Sequence, residues 1–315
     1  MEEATTEKQT GLTVFVLKMI AVCSMLIDHF GATVVERYID ANMLWDGNWY
    51  ILYRTLRCIG RLAFPIYCFF IVEGFKYTRS RPKYAIRLLA FAFISEVPFD
   101  MAFQKSFFDM SYNNVFFTLF LGLLTIWAID EVCKRISGNN AALPTSDEFS
   151  RSRGDARLEN CQTVGQEGIR AGDGESSSAA RTNGPQQGID CRQDPRINMD
   201  TRTKALTILA TIGIAAVGTA LGFVLNTDYY GGGVLTILAI YLTRNKKKPL
   251  SMAIGVCVCA LTCGDIELVA LIDSLLIKFY NGKPGKRKWK PFFYGFYPVH
   301  LFVLSMICYF LGFGI

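Results

Sequence analysis

Histidine is scarce in this chain, two residues in 315, and no cysteine or histidine spacing closes a zinc set. Cys257, Cys259 and Cys263 stand together without a histidine or a second cysteine pair nearby, so no metal is expected. Most of the ten cysteines fall in or beside apolar runs, where a free thiol packs as a small hydrophobe, and no disulfide framework is expected. The opening residues, MEEATTEKQTG, lack the positive start and small-residue cleavage site of a secretory leader. The first apolar run is therefore expected to stay as an uncleaved anchor. No internal repeat is visible, which counts against an inverted-repeat transporter. The net charge of +6 alternates in sign from loop to loop instead of forming a basic face, so nucleic acid is not an expected partner.

What the chain has in quantity is apolar surface: 51% of its residues are hydrophobic, arranged in long runs. That composition predicts an all-α, polytopic transmembrane helix bundle in a lipid bilayer. Runs near 12–36, 51–76, 84–103, 113–134, 203–225, 230–243, 250–264, 266–280 and 294–313 give about nine spans. Those near 230, 250 and 266 fall short of the ~20 residues a straight crossing needs and are expected to be buried or partly re-entrant. The connections KYTRSRPKYAIR, TRNKKKP and KPGKRKWK are basic and alternate with ERYIDANMLWDGN, NTDYYGGG and CGDIE. Placing the basic set in the cytoplasm puts the amino terminus inside. Between the fourth and fifth spans the composition turns rich in Ser, Gly, Asn and Gln, with seven arginines against ten acids over 137–200. The expected organisation is a membrane domain over 1–136, a disordered cytoplasmic insert over 137–201, and a second membrane portion over 202–315.

Several ionisable residues sit inside apolar runs, where a charge costs roughly 2.5–3.5 kcal/mol and so usually lines a cavity or has a partner. In FVLKMIAVCSMLIDHFG, Lys18 and His29 are eleven residues apart, three turns plus about 20°, and share one helix face roughly 16 Å apart along the axis. A cation at the inner end suits a phosphate, and an imidazole farther out suits a general base. Asp28 points about 100° away from His29 and is expected to have its own partner. Arg54, Arg57 and Arg61 descend into the membrane as a stripe at i, i+3 and i+7. Arg61 needs a carboxylate or an anionic ligand, and Pro65 should bend its helix. Glu96 and Asp100, one turn apart, are the expected partners for Arg61 and His29. Asn113, Asn114 and Thr118, with Asp228, Tyr229 and Tyr230, add polar groups to the outer half. Glu73 and His300 lie elsewhere in the spans and are kept, with Lys18 and Arg57, as candidates on the donor side.

The stretches LKMIAVCSMLIDHFG, LRCIGRLAFPIYCFFIVEGFKYTRS, YAIRLLAFAFISEVPFDMAF, NNVFFTLFLGLL and YPVHL together resemble the TraX family of bacterial membrane proteins. The resemblance covers nearly everything outside the insert. It implies a plasma-membrane enzyme related to transmembrane acyltransferases, which moves an acetyl group from cytoplasmic acetyl-CoA to an acceptor at the outer face: a pilin-like amine or an envelope glycan. In one branch of those relatives the first span carries Arg, ten residues, then a catalytic His. Lys18 and His29 keep that spacing with Lys for Arg. On this reading His29 is the base or a transiently acylated nucleophile, Asp100 or Glu96 orients it, and Arg61 with the Asn113 and Asn114 amides polarises the thioester. Two alternatives remain open: a proton-coupled transporter relaying through His29, Asp28, Glu96 and Asp100, and a non-catalytic subunit of a conjugation apparatus.

Overall fold

The computed structural model describes residues 11–141, 201–285 and 289–314. Their regular structure is all helical, with no strand and two isolated backbone bridges, Leu12 to Tyr280 and Asn113 to Thr227. Helix α1 runs Val14–Asn42 and includes a π-helical segment, Gly31–Val35. Helices α2 (Gly47–Gly60) and α3 (Ala63–Tyr77) form one bent rod, followed by α4 (Arg81–Phe103), α5 (Val115–Ala141) and α6 (Thr201–Val224). Next come α7 (Tyr230–Leu242), α8 (Lys248–Cys263), a 3-10 segment (Asp265–Leu271), α9 (Ile272–Lys278) and α10 (Lys290–Phe310).

Among the described residues, five stretches are long and apolar enough to cross a membrane: Val14–Asn42, Gly47–Tyr77, Val115–Gly138, Thr201–Val224 and Pro291–Phe310. The expected span 84–103 folds as helix α4 but is not among those five, its 23 residues carrying Arg81, Lys83, Arg87, Glu96 and Asp100. Helices α7 and α8, with 13 and 16 residues, are about 20 and 24 Å long and fall short of a ~30 Å hydrocarbon core. Helix α7 packs on α8 and α3, and its residues Gly231 to Val234 are buried. The expected run 266–280 is not one helix. Its first part is 3-10 and its second a seven-residue α-helix, because apolar content alone does not distinguish a crossing from a buried irregular segment.

The chain divides into two compact units, Met1–Asp130 with Ala210–Ile315, and Glu131–Leu209. In the second, Arg135 pairs with Glu131 one turn away at 3.4 Å, and the Thr207 hydroxyl donates to the Thr203 carbonyl at 2.8 Å. Helix α5 continues past the expected insert boundary at 137 as far as Ala141, and α6 starts at Thr201. Residues 142–200 of the expected insert lie outside the described residues.

In the first unit, α1 packs on α2, α3 and α10, and α10 on α4. The contact between α1 and α2 is close because glycine stands on it. A Cβ on Gly60 would overlap the Asp28 side chain, and the Ser24 hydroxyl reaches the Ile59 carbonyl at 2.5 Å. The chain then breaks helix at Arg61 and Leu62. Pro65 explains the break, since its ring collides with the carbonyl four residues back, that of Arg61. Arg37, buried on α1, donates to the carbonyls of Met101 and Ala102 at the end of α4 and to that of Gly314, at 3.1, 2.8 and 2.8 Å.

Candidate functional site

A cavity of about 400 Å³ lies within the first unit, and the ionisable residues of the first two spans converge on it. Lys18, Asp28 and His29 reach it from α1, Arg57 from α2, Arg61 from the break between α2 and α3, and Asp228 and Tyr229 from the turn before α7. Aromatic rings fill much of the remaining wall, among them Phe64, Tyr67, Phe103 and Tyr297. The shared helix face expected of Lys18 and His29 is therefore a shared cavity wall. The Lys18 ammonium lies over the rings of Phe70 and Phe293, 5.3 and 5.5 Å from their centroids, which favours a cation in an otherwise apolar setting.

Asp28 has the separate partner expected of it. Arg57 Nη1 donates to its Oδ2 at 2.7 Å, with the two side chains 22% and 12% exposed. Arg61 has a carboxylate, but it is Glu267 of the 3-10 segment, at 3.4 Å, and its Nη1 also donates to the Tyr229 hydroxyl at 3.3 Å. Arg61 Nε is buried without a hydrogen-bond partner among the described residues. Tyr229 is held where it is needed by a left-handed backbone, φ +62°, and by its ring stacking on Phe64 at 3.7 Å. Backbone strain of that kind persists only where the surroundings enforce it. Asp228 accepts from the Tyr112 hydroxyl at 2.8 Å, and burial holds its carboxyl above the usual carboxylate range.

His29 lies in the last turn of the regular part of α1. The π-helical segment begins two residues later, and the Thr33 hydroxyl donates to the His29 carbonyl at 2.6 Å. Such bulges reposition side chains within a helix and are frequent at functional sites. His29 Nδ1 lies 2.7 Å from Nε2 of His300 on α10, and His300 Nδ1 lies 2.7 Å from the Phe296 carbonyl.

Four sequence expectations are corrected by this geometry. Glu96 and Asp100 do not orient His29 or pair with Arg61. Glu96 binds the backbone N–H and side-chain amide of Asn114, while Asp100 accepts from Gln104 Nε2 at 2.9 Å and Asp109 N–H at 2.8 Å, tying down the loop after α4. The amides of Asn113 and Asn114 are spent on structure. Asn113 donates to the Leu225 carbonyl at 2.5 Å, and Asn114 caps α5 by accepting from Phe116 N–H at 3.0 Å. Glu73 pairs with Lys248 at 3.8 Å and is not part of the cavity wall. His300 sits behind His29, not on the donor side. The sequence reading missed Glu267, which it took as a loop charge, and the histidine pair; pairing the chain's two histidines was the signal available for the second.

No solved structure matches this chain. A profile described as "TraX protein" matches residues 14–142 and 197–308, leaving the segment between them unmatched. The chain is also 37% identical over 126 residues to "Probable fimbrial assembly protein FimC, serogroup H1" of Dichelobacter nodosus, an alignment covering 38% of this chain and 47% of that protein. It thus spans about half the length of that curated relative. With both membrane portions matched, every cavity residue named above included, the chain belongs to the TraX family.

Proposed function

We propose that the chain is an acyltransferase of the bacterial plasma membrane, with its amino terminus in the cytoplasm, that moves an acetyl group from cytoplasmic acetyl-CoA to an acceptor at the outer face. The acceptor is a pilin-like amine or an envelope glycan hydroxyl; the fimbrial assembly name of the relative supports the pilus-type acceptor. The observation that carries the reading is that Lys18 and His29 line one cavity together with Asp28, Arg57 and Arg61. Its volume falls within the 300–1,000 Å³ typical of small-molecule sites.

In this reading acetyl-CoA is a substrate, and Lys18 holds it by charge. His29 takes a proton from the acceptor N–H or O–H as that atom attacks the thioester carbonyl. The C–S bond then breaks, the pair of electrons leaves on sulfur, and the imidazolium returns the proton to the departing thiolate. Arg61 Nε is the donor available for the developing oxyanion, in place of the committed Asn113 and Asn114 amides. The transporter reading is weakened, because two of its four relay members, Glu96 and Asp100, are bound up in the structure around Asn114 and the loop at Gln104.

The test is label transfer from radiolabelled acetyl-CoA by purified, detergent-solubilised protein to amino-terminal peptides and envelope glycans. His29→Ala should lower turnover about 10²- to 10⁴-fold while CoA still binds. Lys18→Ala should raise the KM for acetyl-CoA with a smaller effect at saturation, and Lys18→Arg should be tolerated. Wild-type turnover in His29→Ala would refute the reading.

A further inference from the structure

We propose that His300 is a positioning residue that fixes the tautomer of His29, so that His29 presents an unprotonated Nε2 to the cavity. The argument follows the protons. A backbone carbonyl has none to give, so the 2.7 Å contact between His300 Nδ1 and the Phe296 carbonyl places a proton on His300 Nδ1. In a neutral imidazole the other nitrogen is then an acceptor. His300 Nε2 is therefore a lone pair, and the 2.7 Å contact with His29 Nδ1 requires His29 to donate. That leaves His29 Nε2 without a proton, and it makes no hydrogen bond among the described residues.

Neutrality of the pair follows from its surroundings. Neither histidine has a carboxylate partner among the described residues. His300 is 6% exposed, and an unpaired buried charge costs several kcal/mol. The alignment is held mechanically as well. The two imidazole planes are parallel to within 3° with centroids 4.9 Å apart, Phe296 stacks on His300 at 4.6 Å, and Phe103 meets His29 edge-on at 5.4 Å. Phe296 and His300 are one helical turn apart on α10, so the acceptor that starts the chain is set by the backbone of that helix.

The chemical consequence rests on the transferase reading: a base must arrive with a lone pair, and here the second histidine assigns which nitrogen carries it. The tautomer itself does not depend on that reading, so the two can be tested apart. The chain has only these two histidines, so the full-length protein, labelled with ¹⁵N-histidine, expressed without a histidine tag and solubilised in detergent, gives four ring-nitrogen signals, and any His300 variant leaves His29 alone. Long-range ¹H–¹⁵N correlation should show His29 protonated at Nδ1. In His300→Gln, whose amide oxygen can still accept from His29, that form should persist and turnover should stay within about tenfold of wild type. In His300→Phe it should give way to the Nε2–H form that a free imidazole favours in water, and turnover should fall about 10²- to 10⁴-fold with little change in the KM for acetyl-CoA. His29 found charged or Nε2-protonated in the native chain, or unchanged in both variants, would overturn the inference. An Nδ1–H His29 in a protein that transfers no acetyl group would uphold it and refute the transferase reading instead.

Discussion

Gly60→Ala is the substitution whose cost can be worked most directly from the packing. The added methyl would land on the Cβ, Cγ and Oδ1 of Asp28, where α2 packs against α1. Asp28 is not a flexible chain end that can swing aside, since its Oδ2 is held by Arg57 at 2.7 Å. Forcing one carbon into such a contact costs about 1–3 kcal/mol. Displacing the Asp28–Arg57 pair adds about 1 kcal/mol, a figure kept low because both side chains retain some exposure. The sum, about 2–4 kcal/mol, is on the order of 10 °C in melting temperature for a chain of this size. Two further glycines calibrate the scale. A Cβ on Gly31 would meet Leu56 Cβ at 3.0 Å, a contact that a shift of a few tenths of an ångström relieves, and the cost should stay below about 1 kcal/mol. Gly213, in α6, has nothing within 4 Å of the added atom, so alanine there should stabilise by about 0.5–1 kcal/mol through helix propensity. The assay is the thermal loss of monodisperse protein in detergent for the three variants side by side. A Gly60→Ala protein as stable as Gly31→Ala would refute the packing argument.

Arg37→Ala should destabilise by about 2–4 kcal/mol in the same assay, because it strips donors from three carbonyls in one step, and Arg37→Lys should not rescue it, since one ammonium cannot span the three. Deleting residues 143–196, the segment the family profile passes over, should leave membrane insertion and label transfer near wild type; lost transfer at unchanged expression would give that segment a role. Thiol labelling from outside the cell should reach a cysteine at exposed Asp46 and not one at exposed Lys247, and the reverse pattern would invert the orientation proposed from loop charge.

The sequence by itself determined the membrane bundle, because length and hydropathy are local properties that the bilayer tests span by span. It also set Lys18 and His29 on one helix face, set Arg57 and Arg61 in one stripe and called for a partner for Asp28, since helical periodicity fixes faces within a helix and a buried charge must find a partner. The break near Arg61 was legible for the same reason, as Pro65 acts on its own helix. What it could not fix was which partner each charge finds. Glu96 and Asp100 looked like mates for Arg61 and His29 on spacing alone, yet Asn114 and the Gln104 loop hold them, because capping α5 and closing a tight turn are demands made by neighbouring chain. Glu267 reaches Arg61 from a short 3-10 segment 206 positions away in sequence, and His300 reaches His29 from 271 away. Contacts at that separation depend on how α1, α2 and α10 cross, and no periodicity within one helix encodes the crossing. Tertiary structure alone made the two histidines one hydrogen-bonded unit.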